Sequence, residues 1–180
     1  MQNGQIILAC DDSGNFLEYI SKEVGHTGKG KRHFAISVFV YNSNGEVLLQ
    51  KRKHQVFDDI WDMTASTHQL RREDGTNETD EEATIRALKR EYNINPEKLK
   101  NLHKVGTINY FAQYGNYCEN EHDIILIAEY NDEINLNLEV GYEYKWMRKK
   151  EFVQDIENNP KTYTPWTYEC LNLLKEVGFF

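Results

Sequence analysis

Cysteine is scarce in this 180-residue chain, and the three that occur, Cys10, Cys118 and Cys170, show no CxxC spacing. That argues against a thiolate zinc site and against a disulfide framework. An odd cysteine count behind a non-basic N-terminal stretch, Met1 to Asp12, reads as reduced thiols in a cytoplasmic protein. No apolar run approaches the roughly twenty residues that span a bilayer, so no membrane partner is expected. Positive charge is also in deficit: 21 Lys and Arg stand against 29 Asp and Glu, a formal net charge of −8. A nucleic-acid partner, which needs a basic face, is therefore not expected. A small anionic ligand stays open, because a few local cations or a metal ion can override the global sign. With three prolines, no Pro/Gly/Ser linker and no internal repeat, the chain reads as one domain over residues 1–180.

What is present is strongly patterned. Gln5 to Cys10 reads as a strand and Asp11 to Asn15 as a turn. Phe34 to Tyr41 is rich in β-branched and aromatic residues, Asn42-Ser43-Asn44-Gly45 is a hairpin turn, and Val47 to Lys51 returns as the partner strand. Trp61 to His68 reads as an irregular connection and Arg71 to Thr79 as a polar loop. Thr79 with Glu82 three residues on is a capping box. Ala83, Ile85, Leu88 and Tyr92 then follow at helical spacing, which predicts an amphipathic helix over Asp80 to Tyr92 stopped at Asn93. Val105 to Tyr114, His122 to Tyr130 and Tyr142 to Met147 read as strands. Lys149 to Asn158 and Trp166 to Val177 read as helices, separated by the breakers Pro160 and Pro165. The order implies an α/β domain, a mixed sheet sandwiched between helices.

The predicted helix carries chemistry-bearing residues. Glu78, Arg86, Leu88, Glu91 and Ile94 match a degraded Nudix box, whereas Ala87, Arg90 and Asn93 stand where a full box has Glu, Glu and Gly. Four further features flank it: Gly25-His26-Thr27 followed by His33; Trp61 running through Ser66 to His68; Glu119-Asn120-Glu121 at a strand opening, where alternation puts both carboxylates on one side; and Pro165-Trp166 at a helix start. In this order the chain resembles the type 1 isopentenyl-diphosphate isomerases, a family of Nudix fold, over about Ile6 to Leu174.

The resemblance implies a divalent metal held by His26, His33, His68, Glu119 and Glu121. Three nitrogens with two or three oxygens suit Mn²⁺, Mg²⁺ or Zn²⁺. It implies a second Mg²⁺ at Glu91, bridging the diphosphate of a small substrate, with Lys22, Arg52, Lys53 and Arg86 as the basic groups near phosphate. Glu121 takes the role of acid/base carboxylate, Tyr110 that of its hydrogen-bonding partner, and Trp166 that of a ring able to stabilise a carbocation. His54, His103 and His122 match no motif position. The chain departs from the family at the thiol, because the family's cysteine position falls on Ser66, a far weaker acid; Cys118, beside Glu119, is the nearest substitute. Three readings follow: an isomerase with Ser66 in place of the thiol, a diverged Nudix hydrolase of a small diphosphate or nucleotide, and a non-catalytic module binding metal and a phosphorylated ligand.

Overall fold

The computed structural model describes residues 4–180; residues 1–3 of the expected domain lie outside the described residues. The chain forms β1 (Ile6–Cys10), β2 (Phe16–Ser21), the short α1 (Lys22–His26), β3 (His33–Tyr41) and β4 (Glu46–Arg52). It continues through β5 (Trp61–Asp62), β6 (Ala65–Thr67), α2 (Asp80–Tyr92), β7 (Lys100–Tyr114) and β8 (Tyr117–Glu129). It ends with β9 (Gly141–Arg148), α3 (Lys149–Asn158) and α4 (Pro165–Glu176).

The centre is the pair β3 and β8, which run parallel and in register from His33 opposite Glu121 to Tyr41 opposite Glu129. β7 is antiparallel to β8, β9 is antiparallel to β4, and the β1–β2 hairpin joins at the start of β3. Alternation along β3 separates two cores. Ile36, Val38 and Val40 face Ala83, Ala87, Leu88 and Tyr92 of α2. Phe39 faces Phe152 of α3 and Trp166, Cys170 and Leu174 of α4. Each large apolar side chain buried this way stabilises the fold by roughly 1.5–3 kcal/mol. The mixed sheet covered by helices on both faces is the expected α/β sandwich.

The α2 boundaries follow the sequence signals. Thr79 accepts from the Glu82 amide at 3.2 Å and Glu82 accepts from the Thr79 amide at 2.8 Å, while Asn93 closes the helix in the left-handed region at φ 54°. Three features depart from the expectation. β2 has no clean polar/apolar alternation and is set by its ladder with β1. The connection Trp61 to His68 contains β5 and β6, which at two and three residues are too short to show a period. β7 starts at Lys100 rather than Val105, because register shifts at Lys100/His103 and Lys104/Gly106 break its alternation.

Candidate metal centre

The site sits at the end of the sheet where β3 and β8 begin. The parallel register sets His33 beside Glu121, and the antiparallel ladder sets Tyr110 opposite Glu121 and Ala112 opposite Glu119. His26 ends α1, and His68 follows β6, which is zipped to β3 through Ser37–Ser66 and Ile36–Thr67. Two glycines let α1 approach this closely. A Cβ on Gly25 would lie 3.0 Å from His33 Nδ1, and one on Gly30, at φ +54°, would lie 2.2 Å from the Gly25 carbonyl oxygen.

Three imidazoles and one carboxylate converge. His26, His33, His68 and Glu121 each offer a ligand atom, all within 4.8 Å of one another. Glu121 Oε1 lies 2.9 Å from His68 Nε2, 3.5 Å from His33 Nε2 and 3.9 Å from His26 Nε2. The Nδ1 atoms of His26 and His33 sit 2.7 Å from the Lys22 and Lys31 carbonyls. A carbonyl can only accept, so Nδ1 of each ring carries a proton, which leaves Nε2 as the nitrogen that, once deprotonated, can bind a metal. His33 Nε2 is buried without a hydrogen-bond partner. A buried orphan nitrogen aimed at two imidazoles and a carboxylate fits a divalent cation as its missing partner. Glu119 sits at the flank, its Oε2 3.1 Å from His26 Nε2.

The electrostatics differ among these groups. Burial, reinforced by Lys22, His26 and His33, pushes His68 well below the usual imidazole range and keeps it neutral. Burial acts the same way on His26, but the hydrogen bond and charge of Glu119, with Glu121 behind it, outweigh it and leave His26 raised. Glu121 is lowered: burial works against its charge, and His33 and His26 more than offset that. Tyr110 donates a short hydrogen bond to Glu121 Oε2, and burial beside that carboxylate raises the phenol.

A cavity of about 320 Å³ opens beside this centre, with Lys22, Glu91, Glu119, Glu121, Ser66 and Trp166 in its wall. Lys22 is held below the usual lysine range by burial, partly offset by Glu119, and makes no ion pair among the described residues. Glu91 of α2 accepts from Gln50 Nε2 at 3.0 Å and pairs with Arg90; burial raises it despite that partner. Lys53 reaches the Leu138 carbonyl at 2.9 Å. Arg86 is engaged by Glu78, through Nε at 2.7 Å and Nη2 at 2.8 Å, and by the His68 carbonyl at 2.8 Å. It thereby braces the metal-side loop as well as lining the cavity. Ala87 is fully buried against the sheet, so this helix carries Glu91 into the cavity without a carboxylate at that position.

Asp62 is the residue that motif reading missed. Buried in β5, its Oδ1 accepts from Trp166 Nε1 at 2.8 Å, from Thr164 and Thr167 hydroxyls at 2.9 Å, and from the Met63 amide at 2.9 Å. Its Oδ2 pairs with Arg52 Nη1 at 2.7 Å. Arg52, expected near phosphate, is thereby drawn across the Trp166 ring, its Cζ 4.9 Å from the ring centroid. Ser66 Oγ accepts from the same indole at 3.1 Å. Its own hydroxyl lies 3.4 Å from Asp62 Oδ2 and 3.4 Å from Ser37 Oγ. Cys118, the thiol expected nearest this site, lies in the wall of the same cavity. Alternation turns it to the face opposite Glu119 and Glu121, its sulfur sits 2.5 Å from where a Cβ on Gly30 would stand, and burial raises its thiol. The signal for Asp62 was a lone acid among hydroxyl-bearing and apolar residues, four before Ser66.

Comparison with known proteins adds three findings. Residues 31–169 match the NUDIX domain family. The chain is 28% identical, over 93% of its length and 85% of the relative's, to an isopentenyl-diphosphate Delta-isomerase 2 of Aromatoleum aromaticum. It is 29% identical, over 93% of its own length and 91% of the relative's, to an isopentenyl-diphosphate Delta-isomerase 2 of Photorhabdus laumondii. Among solved structures, a MutT NUDIX hydrolase from Burkholderia pseudomallei superposes with a TM-score of 0.61 at 15% identity, covering 79% of this chain and 98% of that one. No helix among the described residues is long and apolar enough to cross a membrane.

Proposed function

The chain belongs to the NUDIX domain family and is an enzyme of that superfamily, and from that premise we propose a metal-dependent enzyme that acts on a small organic diphosphate, with Glu121 moving a proton in an isomerase-type centre. One observation carries this reading: three Nε2 atoms lie within 3.9 Å of one oxygen of Glu121 while Tyr110 hydrogen-bonds the other. His26, His33, His68 and Glu121 would hold the cation, with Glu119 beside His26 as a fifth ligand. Mn²⁺, Mg²⁺ and Zn²⁺ all suit this donor set. A bound cation supplies fixed positive charge that biases the acidity of groups around it. Glu91 and Lys22 in the cavity wall would take the diphosphate end, Glu91 through a second Mg²⁺. Tyr110 orients Glu121 Oε2, the oxygen left to give or take a proton at carbon.

The relatives are named isopentenyl-diphosphate Delta-isomerases, and moving a double bond in that substrate needs proton transfer at two carbons. Glu121 serves one. Ser66 stands where the second group belongs, and a hydroxyl is a poor acid. That single substitution favours, as a second reading, hydrolysis of the diphosphate by an activated water. The test is protein loaded with Mn²⁺ and isopentenyl diphosphate in D₂O, followed by NMR and by phosphate release. Slow deuterium entry at carbon, absent in Glu121→Gln, supports the first reading. Phosphate release without deuterium entry replaces it with the second. Silence in both assays, with tight metal binding, leaves a non-catalytic binding module.

A further inference from the structure

We infer that the inner end of the cavity selects a hydroxyl-bearing organic group on its diphosphate ligand, and that Arg52, held by Asp62 across the Trp166 ring, sets this preference. The inference rests on the small-diphosphate reading and narrows it to a ligand class.

The Trp166 ring is already crowded. The Arg52 guanidinium carbon lies 4.9 Å from its centroid, the Tyr110 ring 5.9 Å away at 32°, and the Phe57 ring 5.3 Å away and edge-on at 89°. A hydrocarbon seeking this aromatic surface meets a guanidinium. The indole N–H is also taken, by Asp62 and Ser66.

The polar groups at this end are incompletely satisfied. Arg52 lines the cavity, and its Nη2 reaches the Val56 carbonyl only at 3.5 Å, too long to satisfy that donor. The Ser66 hydroxyl has two long contacts of 3.4 Å rather than one good bond. Aliphatic lining is confined to Ala35, Val56, Leu70 and Val140. An unsaturated C5 tail would return no hydrogen bond to Arg52 Nη2 or to the Ser66 hydroxyl, whereas hydroxyl oxygens would accept from both.

The test compares two ligands with one carbon skeleton and one diphosphate, isopentenyl diphosphate and 3,4-dihydroxy-3-methylbutyl diphosphate. Inorganic pyrophosphate is the third ligand, and each is titrated by calorimetry into Mn²⁺-loaded protein. The dihydroxylated ligand is expected to bind roughly tenfold or more tightly than isopentenyl diphosphate. In Arg52→Met/Asp62→Asn, which removes the guanidinium without orphaning a buried carboxylate, the ratio is expected to fall to within about threefold. Equal or tighter binding of isopentenyl diphosphate by the wild type overturns the inference, even if the double variant fails to fold. If pyrophosphate and both organic ligands fail to bind, the small-diphosphate reading falls and the inference with it. If pyrophosphate binds and the ratio is absent, only the inference falls.

Discussion

Replacing Asp62 with alanine removes one carboxylate that accepts from four groups on one oxygen and pairs with Arg52 on the other. The cost is set by what stays behind. Arg52 is buried, and Asp62 raises its proton affinity against the opposing effect of burial, so the variant leaves an uncompensated guanidinium. Breaking a buried pair from one side costs about 3–5 kcal/mol. The released donors add less than four separate penalties would. Trp166 Nε1 keeps Ser66, and the Thr164 and Thr167 hydroxyls keep each other at 2.7 Å. We therefore expect a loss of about 4 kcal/mol, which for a chain of this size lowers Tm by roughly 8–16 °C. Asp62→Asn retains Oδ1 but turns an amide towards Arg52, and should cost about half as much. The assay is urea unfolding of both variants, of Arg52→Met and of Arg52→Met/Asp62→Asn, with the coupling taken from the Arg52→Met and Asp62→Asn cycle. An Asp62→Ala loss below about 1 kcal/mol at an unchanged m value would refute the hub.

Other predictions concern the metal centre. His68→Ala should strip the bound metal in mass spectrometry, because it removes the imidazole nearest Glu121 Oε1; unchanged metal content removes His68 from the site. Ser66→Cys should raise the rate of dimethylallyl diphosphate formation at least tenfold, about 1.4 kcal/mol of barrier, as read by NMR; an unchanged rate means the missing thiol is not what limits isomerisation. Arg86→Ala, which frees Glu78 and the His68 carbonyl, should weaken metal affinity roughly 10–100-fold; unaltered affinity separates the brace from the centre. Above pH 6.5 the metal-free and metal-loaded proteins should respond oppositely. Raised His26 stabilises the metal-free fold fully below that value, and this is lost as pH rises through its shifted value. Metal needs the neutral ring, so the loaded protein gains over the same window. Melting curves with EDTA and with Mn²⁺ read both slopes, and parallel slopes contradict the assignment.

The parts of the fold legible in the sequence are those whose signal is local. The Thr79–Glu82 capping box, the Asn93 stop and the apolar spacing of Ala83, Leu88 and Tyr92 all sit within one helix. The convergence of His26, His33, His68 and Glu121 was legible only through motif order, since no spacing along the chain brings residue 26 beside residue 121. That proximity is created by the β3–β8 register and the close approach of α1 at Gly25 and Gly30. Asp62 was not legible because its meaning depends on Arg52, Thr164, Trp166 and Thr167, which reach it from β4 and from the start of α4. The same contacts redirect Arg52, whose type suggests phosphate but whose partner is a buried carboxylate.

The most direct measurement is the spin-echo spectrum of Mn²⁺ bound to the protein at one equivalent. The account predicts one Mn²⁺ per chain with nitrogen modulation from imidazole ligands, weakened when His26 or His33 is replaced by alanine. Manganese bound without nitrogen modulation, or no stoichiometric binding at all, contradicts it.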